Sequence, residues 1–426
     1  MFATSLAFVA FLHRLIDNQN MNWKTLNNQL IAQLKKEGAI RSKAVERAFR
    51  ITPRHLFVPH EPLESAYQNH VIGLKLNERG VTISSLSQPS MIAIMLEQLA
   101  LQRGQRVLEI GAGTGYNAAL MAAIVGEEGR VITLDIDEDL VEMAQANLAA
   151  AGVKNVLAVV RDGAFGYVEE APYDRIILTT SANDIASAWV EQLVDGGRLL
   201  LPLIIGPDMQ YSIAFDKEGD WLKSDSHYRC RFVTLRGALR TPDYSRVYLN
   251  PNTYFSGAAV QDLPIALDDL RAWFKQPQKT YASPIQTTFH AISYGLELWL
   301  LTRLPHTYFL LCDQDPPTFE PLMVFQNPLQ FGTLAHVNAK GMATLSRAAK
   351  RDNELAPLRI HHYGLHPTAA KAMWDAVQLW DAIGQPTEQD VRFALTPHIP
   401  ELPQETTTIL LKKNFNLILQ WHIKKN

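Results

Sequence analysis

The chain has 426 residues, 47% of them hydrophobic and 19% charged, a composition that can bury a sizeable core and a length that suits two or three domains. Its 40 basic and 43 acidic residues give a net charge of −3, so no basic excess draws it to a phosphate backbone and general nucleic-acid binding is not expected. Two cysteines, Cys230 and Cys312, are too few for a disulfide framework and fit a reducing, cytoplasmic setting.

Residues 1–12, MFATSLAFVAFL, form an apolar run that is too short to span a bilayer. The run lacks the basic segment and clear cleavage site of a secretory signal. Met21 stands just ahead of the first amphipathic pattern, so residues 1–21 are expected to be a loosely ordered extension or the product of a start assigned too early. No membrane anchoring is expected. Residues 23–49 predict two helices: Leu26, Leu30 and Leu34 recur on one face with Ile31 beside them, and Gly38 ends the first helix. Ser42 can cap the second, whose stripe is Val45, Ala48 and Phe49, and Pro53 stops it.

From Arg106 the pattern alternates. RVLEIG (106–111), RVITLDI (130–136), NVLAVVR (155–161), YDRIILTT (173–180) and GRLLLPL (197–203) read as strands, separated by helical stretches at 117–125, 138–151 and 187–193. Strands spaced by helices predict a doubly wound α/β sheet, parallel and covered on both faces. Residues 211–215 and 230–235 read as two closing strands. Pro242, Pro251, Pro264, Pro277 and Pro284 punctuate a looser region that places a domain boundary near 240–265. Beyond it, ELWLLTRL (297–304) and TYFLLC (307–312) read as strands and residues 367–383 as a helix with Ala370, Met373, Val377 and Trp380 on one face. The chain is thus expected to hold an extension (1–21), a catalytic domain (22–240) and a C-terminal α+β domain (250–426).

The chemistry centres on LEIGAGTGY, residues 108–116. Gly111, Gly113 and Gly115 follow a strand and precede a helix, where an open sheet binds ligands at its switch point. A nicotinamide dinucleotide site would want its third glycine one residue later. Glu109 at the strand end would face a pyrophosphate badly and suits a cationic ligand such as S-adenosylmethionine (SAM), with its sulfonium and ammonium groups. Asp135 ends the next strand 24 residues past Gly111 and can accept both ribose hydroxyls, or else cap the following helix. Asp137 is the better candidate for that cap. Asp162 and Gly163 end the third strand, where an acceptor can meet the exocyclic amine of an adenine.

With these residues go RHLFVP (54–59), Ala66-Tyr67, TISSLSQPSMIAIMLEQL (82–99), Arg161-Asp162-Gly163, EEAPYDRI (169–176), VDGGRLLLP (194–202) and RFVTLRGAL (231–239). Together they make the first 240 residues resemble the protein-L-isoaspartate O-methyltransferase family. The resemblance implies a Rossmann-like methyltransferase sheet that binds SAM, N-terminal helices that cover the peptide site, and a Ser-x-Pro segment that meets the substrate carboxylate. It makes Ser87 the active-site serine, although Ser87 could also cap the helix that follows.

Two departures lie on the acceptor side. Three residues are inserted between Thr82-Ile83-Ser84 and Gln88-Pro89, so Ser84 competes with Ser87, and Asn69 stands where the family tends to have aspartate. The extra domain resembles an arrangement found in enzymes that methylate a chosen aspartate of a ribosomally made peptide, and leaves a non-catalytic SAM-fold binding protein as a further alternative. The expected partner is a peptide or protein bearing an isoaspartyl or aspartyl carboxylate. No metal is expected: His361, His362 and His366 lie near one another, but His361 and His362 would alternate faces on a strand; His55, His60 and His70 lie elsewhere; and Pro316-Pro317 breaks the cation-loop pattern of Asp313, Asp315 and Glu320.

Overall fold

The leucine repeat near the N-terminus folds as α1 (Trp23–Lys36), which buries Leu26, Leu30, Ile31 and Leu34. This computed structural model describes residues 22–422 apart from 79, 241–245, 276, 314–318, 327–328, 348–353 and 404–405. The extension expected at 1–21 lies outside the described residues, as do Pro242, Asp315, Pro316 and Pro317. The side chain of Ser42 accepts from the Val45 amide at the start of α2 (Lys43–Ile51), as its sequence position predicts. After a short helix α3 (Leu63–Ala66), β1 (Ile72–Leu76) and β2 (Thr82–Leu86) form an antiparallel hairpin with irregular register, and α4 (Pro89–Leu99) follows.

The alternating region becomes β3 (Arg106–Ile110), α5 (Tyr116–Val125), β4 (Arg130–Asp135), α6 (Glu138–Ala150), β5 (Val156–Val160), β6 (Tyr173–Leu178), α7 (Ser187–Glu191), β7 (Leu193–Gly206), β8 (Met209–Glu218) and β9 (Trp221–Cys230). Across the sheet the order is β9-β8-β7-β6-β3-β4-β5. The pairs β5–β4, β4–β3, β3–β6 and β6–β7 are parallel, with Glu109 beside Thr133 and Ile177. The chain therefore moves outward from β3 to β5 and returns to the other side of β3, which creates the switch point that the glycine pattern predicts. Val107, Leu108, Glu109 and Ile110 are all buried, so β3 is covered on both faces. One core joins Leu30, Phe49, Leu96, Leu120 and Val125 of the helices to Val107, Val131 and Ile177 of the strands.

Three expectations need correction. The second closing strand is β9, not residues 230–235. Its sequence, WLKSDSHYRC, is mostly polar, so apolar periodicity does not mark it and its place beside β8 does. Residues 233–235 instead form a parallel bridge at Ser181: the Ser181 amide donates to Val233 O and the Leu235 amide to Ser181 O, both at 2.8 Å. Residues 297–304 are also not a strand. They form a helix, as described below. Finally, the proline-punctuated stretch past 245 also holds regular elements, at 247–250, 253–256, 267–273 and 279–287.

Two compact units divide the chain. The first comprises the described residues up to Leu203 with Ser212–Gly219 and Asp225–Arg240; the second comprises Ile204–Tyr211, Asp220–Ser224 and the described residues from 246 onward. In the second, β10 (Val247–Asn250), β11 (Thr253–Ser256), α8 (Leu267–Trp273), β12 (Lys279–Thr287), α9 (Glu297–Arg303), β13 (Thr307–Cys312), β14 (Met323–Gln326), β15 (Leu329–Asn338), β16 (Gly341–Arg347) and β17 (Ala356–Gly364) build an antiparallel sheet in the order β10-β11-β13-β15-β16-β17-β12, with β14 beside β15. Helix α10 (Thr368–Ala382) packs on this sheet through Ala370, Met373, Val377 and Trp380. Strands β18 (Val391–Thr396), β19 (Thr407–Leu410) and β20 (Asn416–Trp421) complete the unit, with β18 pairing to Leu222 and Lys223. Helix α9 replaces the expected strand because Leu298, Trp299, Leu300, Leu301 and Thr302 are all buried. A run that is apolar all round fits a buried helix as well as a buried strand.

Leu120 is sealed in the core of the first unit. Leu120→Ala should lower the stability of that unit by about 2–5 kcal/mol, read by urea denaturation. A loss below about 1 kcal/mol would mean that this core collapses around the cavity at little cost.

Candidate active site

The turn after β3 is made by backbone geometry that only glycine adopts freely. Gly111, Gly113 and Gly115 have φ of 104°, 51° and 82°. A Cβ on Gly111 would collide with the Thr179 hydroxyl, which donates to Gly111 O at 2.7 Å. One on Gly115 would press on Leu148 and Ala144 of α6 at 3.2 and 3.3 Å. The Gly111 and Ala112 amides both donate to Leu134 O, at 2.8 and 2.9 Å, so the turn is tied to the end of β4.

Asp135 leaves that strand end with its side chain 10% exposed, facing a hollow that Gly111, Gly113, Leu134, Ile136, Arg161, Gly163, Thr179, Thr180 and Arg236 also line. Its carboxylate accepts from the Gly113 amide at 3.2 Å and the Asp137 amide at 3.3 Å, while burial raises its pKa against those bonds. Asp137 sits at the N-cap of α6, but its side chain makes no capping bond there. Instead it takes Arg236 in a bidentate pair, at 3.0 and 2.8 Å, and Lys75 of β1 at 2.9 Å. The hydrogen bond from Arg236 holds the Asp137 carboxyl below its usual range, and Arg236 also stands 3.9 Å from Asp135. Lys75 and Arg236 were not singled out in the sequence. The only signal was Arg236's place in RFVTLRGAL.

Glu109 does not face this hollow. It is 0% exposed, beneath the turn, and accepts from Asn117 of α5 at 2.7 Å and from the Thr133 hydroxyl of β4 at 2.6 Å. Both oxygens are engaged by protein donors, so Glu109 ties the loop to α5 and β4 from beneath. Burial pushes its carboxyl up to about 7. Asp162 is likewise turned to protein: it accepts from the Ala164 amide at 3.0 Å and the Ala238 amide at 2.7 Å. Gly163 lines the hollow, with Ile110 so close that a Cβ would overlap it.

A second, smaller hollow adjoins the first and shares Ser85, Gly111, Gly113 and Thr179 with it. Ser87, Thr114, Tyr116, Asn117 and Phe232 are among the residues that line its remainder. Ser84, Ser85 and Ser87 are therefore separated. Ser84 is buried on β2 and borders the first hollow, Ser87 borders the second, and Ser85 borders both. Ser87 does not cap α4, whose N-cap is Gln88 with no side-chain cap bond. The start of α4 is capped from a distance: Asn69 Oδ1 accepts from the Ser90 amide at 3.0 Å, while its Nδ2 donates to Glu37 at 3.3 Å. Asn69 thus keeps the acceptor that an aspartate would offer and adds a donor facing Glu37. Asn147 of α6 donates to Thr114 O at 3.0 Å and Phe57 O at 3.4 Å, so the glycine turn is also joined to the N-terminal segment.

The raised pKa of Glu109 makes a signed prediction. Its folded value exceeds its ordinary value of 4.5, so its contribution to stability is full below about 4.5 and is lost as pH rises through about 7. Glu109→Gln keeps an acceptor for Asn117 and a partner for Thr133 without the charge. It should match the parent at pH 5 and exceed it at pH 8, by on the order of 2–3 kcal/mol. Thermal melts across that range read the difference, and a gap that fails to widen with pH contradicts the assignment.

The family model described as Protein-L-isoaspartate(D-aspartate) O-methyltransferase matches residues 24–240. Protein-L-isoaspartate O-methyltransferase 2 of Archaeoglobus fulgidus is 38% identical over 218 residues, covering 51% of this chain and 95% of that protein. The protein-L-isoaspartate O-methyltransferase of Ignicoccus hospitalis is 40% identical over 197 residues, 46% of this chain and 90% of that protein. A solved protein-L-isoaspartate O-methyltransferase structure aligns at 25% identity with a TM-score of 0.49, covering 86% of this chain and 96% of the other. This chain belongs to the protein-L-isoaspartate(D-aspartate) O-methyltransferase family.

Proposed function

We propose that this protein transfers the methyl group of SAM to the side-chain carboxylate of L-isoaspartyl or D-aspartyl residues in proteins and peptides. One observation carries the reading: two adjoining hollows share the glycine turn as a wall, one bordered by a strand-end aspartate and the other by Ser87. The family and its relatives support the same activity. Among the described residues no helix is long and apolar enough to cross a membrane, and no group of three or more His, Cys, Asp or Glu side chains could hold a metal.

The residues fit the cofactor. The first hollow offers a carboxylate, Asp135, for ribose hydroxyls and a buried Thr180 hydroxyl with no partner among the described residues. The glycine turn leaves room along its backbone, and the buried Thr114 hydroxyl on the other hollow is also without a described partner. We assign Asp135, Gly111, Gly113 and Gly163 to contact with the cofactor. Glu109, Gly115 and Asp162 hold the loops in place: Glu109 from below, Gly115 at the start of α5, and Asp162 through Ala164 and Ala238. SAM supplies a methyl group already activated by a positive sulfur.

The protein's own work is placement. A carboxylate at neutral pH is already a nucleophile, so no strong base is required, and bringing it in line with the methyl group accounts for much of the rate. The Ser87 hydroxyl can hold one oxygen and leave the other to attack. The methyl ester then cyclises: the neighbouring backbone amide nitrogen attacks the ester carbonyl, loses its proton and expels methanol, and repair of isoaspartate depends on hydrolysis of that ring.

Asp135→Ala should abolish or strongly weaken SAM binding by calorimetry, whereas unchanged affinity removes the ribose assignment. Ser87→Ala should retain SAM affinity and lose transfer of labelled methyl to an isoaspartyl peptide. If Ser84→Ala is the damaging change instead, the acceptor role belongs to Ser84. A panel of isoaspartyl and normal aspartyl peptides tests the activity itself. Methylation of normal aspartate alone would point to a dedicated peptide substrate, and no methylation of any peptide would leave only a SAM-fold binding protein.

A further inference from the structure

Arg54 is fully buried and forms no ion pair among the described residues. Its Nη2 donates to Ser87 O at 3.0 Å, while Nε and Nη1 have no acceptor among the described residues. The guanidinium lies 5.0 Å over the ring of Tyr116, the first residue of α5 directly after Gly115. The Tyr116 hydroxyl is near it without hydrogen-bond geometry and is itself buried without a described partner, as is the Thr114 hydroxyl. Burial lowers the arginine's pKa only to about 10, so it is charged at neutral pH. Burying a cation with no counter-charge is expensive, and such a group calls for a compensating role.

The charge touches both sides of the second hollow. One hydrogen bond holds the peptide of Ser87, and the ring under the guanidinium belongs to a residue lining that hollow. We propose that Arg54 is a positioning residue for the acceptor: it keeps the Ser87 segment in register with the cofactor turn and supplies the positive potential that draws the isoaspartyl carboxylate to the hollow lined by Ser87, Thr114 and Tyr116. This rests on the methyl-transfer reading. Because the guanidinium binds backbone and ring rather than substrate, it favours an anion nearby without tying up the attacking oxygen. Inside the protein its field is weakly screened, so the effect should survive added salt. The same charge disfavours the sulfonium of SAM. A potential therefore acts with opposite sign on the two ligands, whereas a packing role acts on both alike.

Arg54→Gln keeps a donor for Ser87 O but removes the charge, and Arg54→Lys keeps the charge. Three quantities are read for each: KM and kcat for an isoaspartyl peptide, affinity for SAM, and affinity of the same peptide for the enzyme loaded with S-adenosylhomocysteine, which lacks the sulfonium charge. Arg54→Gln should weaken peptide binding and raise its KM by about tenfold, equivalent to about 1.4 kcal/mol, with kcat little changed and SAM affinity equal or higher. Arg54→Lys should restore most of the peptide affinity. Unchanged peptide affinity in Arg54→Gln overturns the proposal, as does a parallel loss of peptide and SAM affinity in both variants. Failure of the parent enzyme to methylate any isoaspartyl peptide would sink the methyl-transfer reading instead, and the binding measurements separate the two failures.

Discussion

The carboxylate of Glu109, sealed from water at the end of β3, is the constraint on which the site geometry depends. One oxygen holds the first turn of α5 through Asn117, and the other holds β4 through Thr133. Three glycines with positive φ make a turn with little stiffness of its own. The turn keeps its shape because strand, helix and neighbouring strand are joined beneath it at one buried group. Leu134 O, which accepts from both Gly111 and Ala112, adds the second tie to β4. Asp135 is the next residue after that carbonyl's, so the bonds that shape the loop also aim the carboxylate at the hollow.

The acceptor side is held differently. The segment from Ser87 to Ser90 is pinned at both ends from the N-terminal region, by Arg54 at Ser87 O and by Asn69 at the Ser90 amide. Asn147 carries a similar link from α6 to both Thr114 and Phe57. The N-terminal elements are therefore bonded to both the Ser87 segment and the α6 residue that holds the glycine turn. The hairpin that leads into this segment has two register shifts, which leave Leu74 and Ile83 outside the ladder without breaking it.

Charge is arranged with the same economy. Lys75, Arg236 and Asp137 form a network beside the first hollow, in which Arg236 pairs closely with Asp137 at 2.8 Å and more distantly with Asp135 at 3.9 Å. Asp135 is left with two backbone donors and an open side, whereas Asp137, two residues on, is saturated. Two aspartates so close in sequence differ because one turns into the hollow at a strand end and the other turns out at a helix start.

Most of the first unit's architecture was legible in the residues themselves. The parallel strands, the glycine turn and the capping serine at Ser42 are set by spacing, by backbone freedom and by local hydrogen bonds, all of which act within a few positions along the chain. Tertiary contacts decided the rest. Residues 297–304 became a helix because the surrounding core could bury every side of them, which apolar spacing alone does not distinguish from a strand. Strand β9 formed from polar residues because a ladder partner was available. The acid at 109 turned out to be a tie under the loop, and Arg236 a neighbour of Asp135 across 101 positions, because a folded sheet brings together side chains whose proximity has no trace in local sequence. The sequence by itself determined where a ligand-sized turn would form; only the folded chain decided which charged groups look into it.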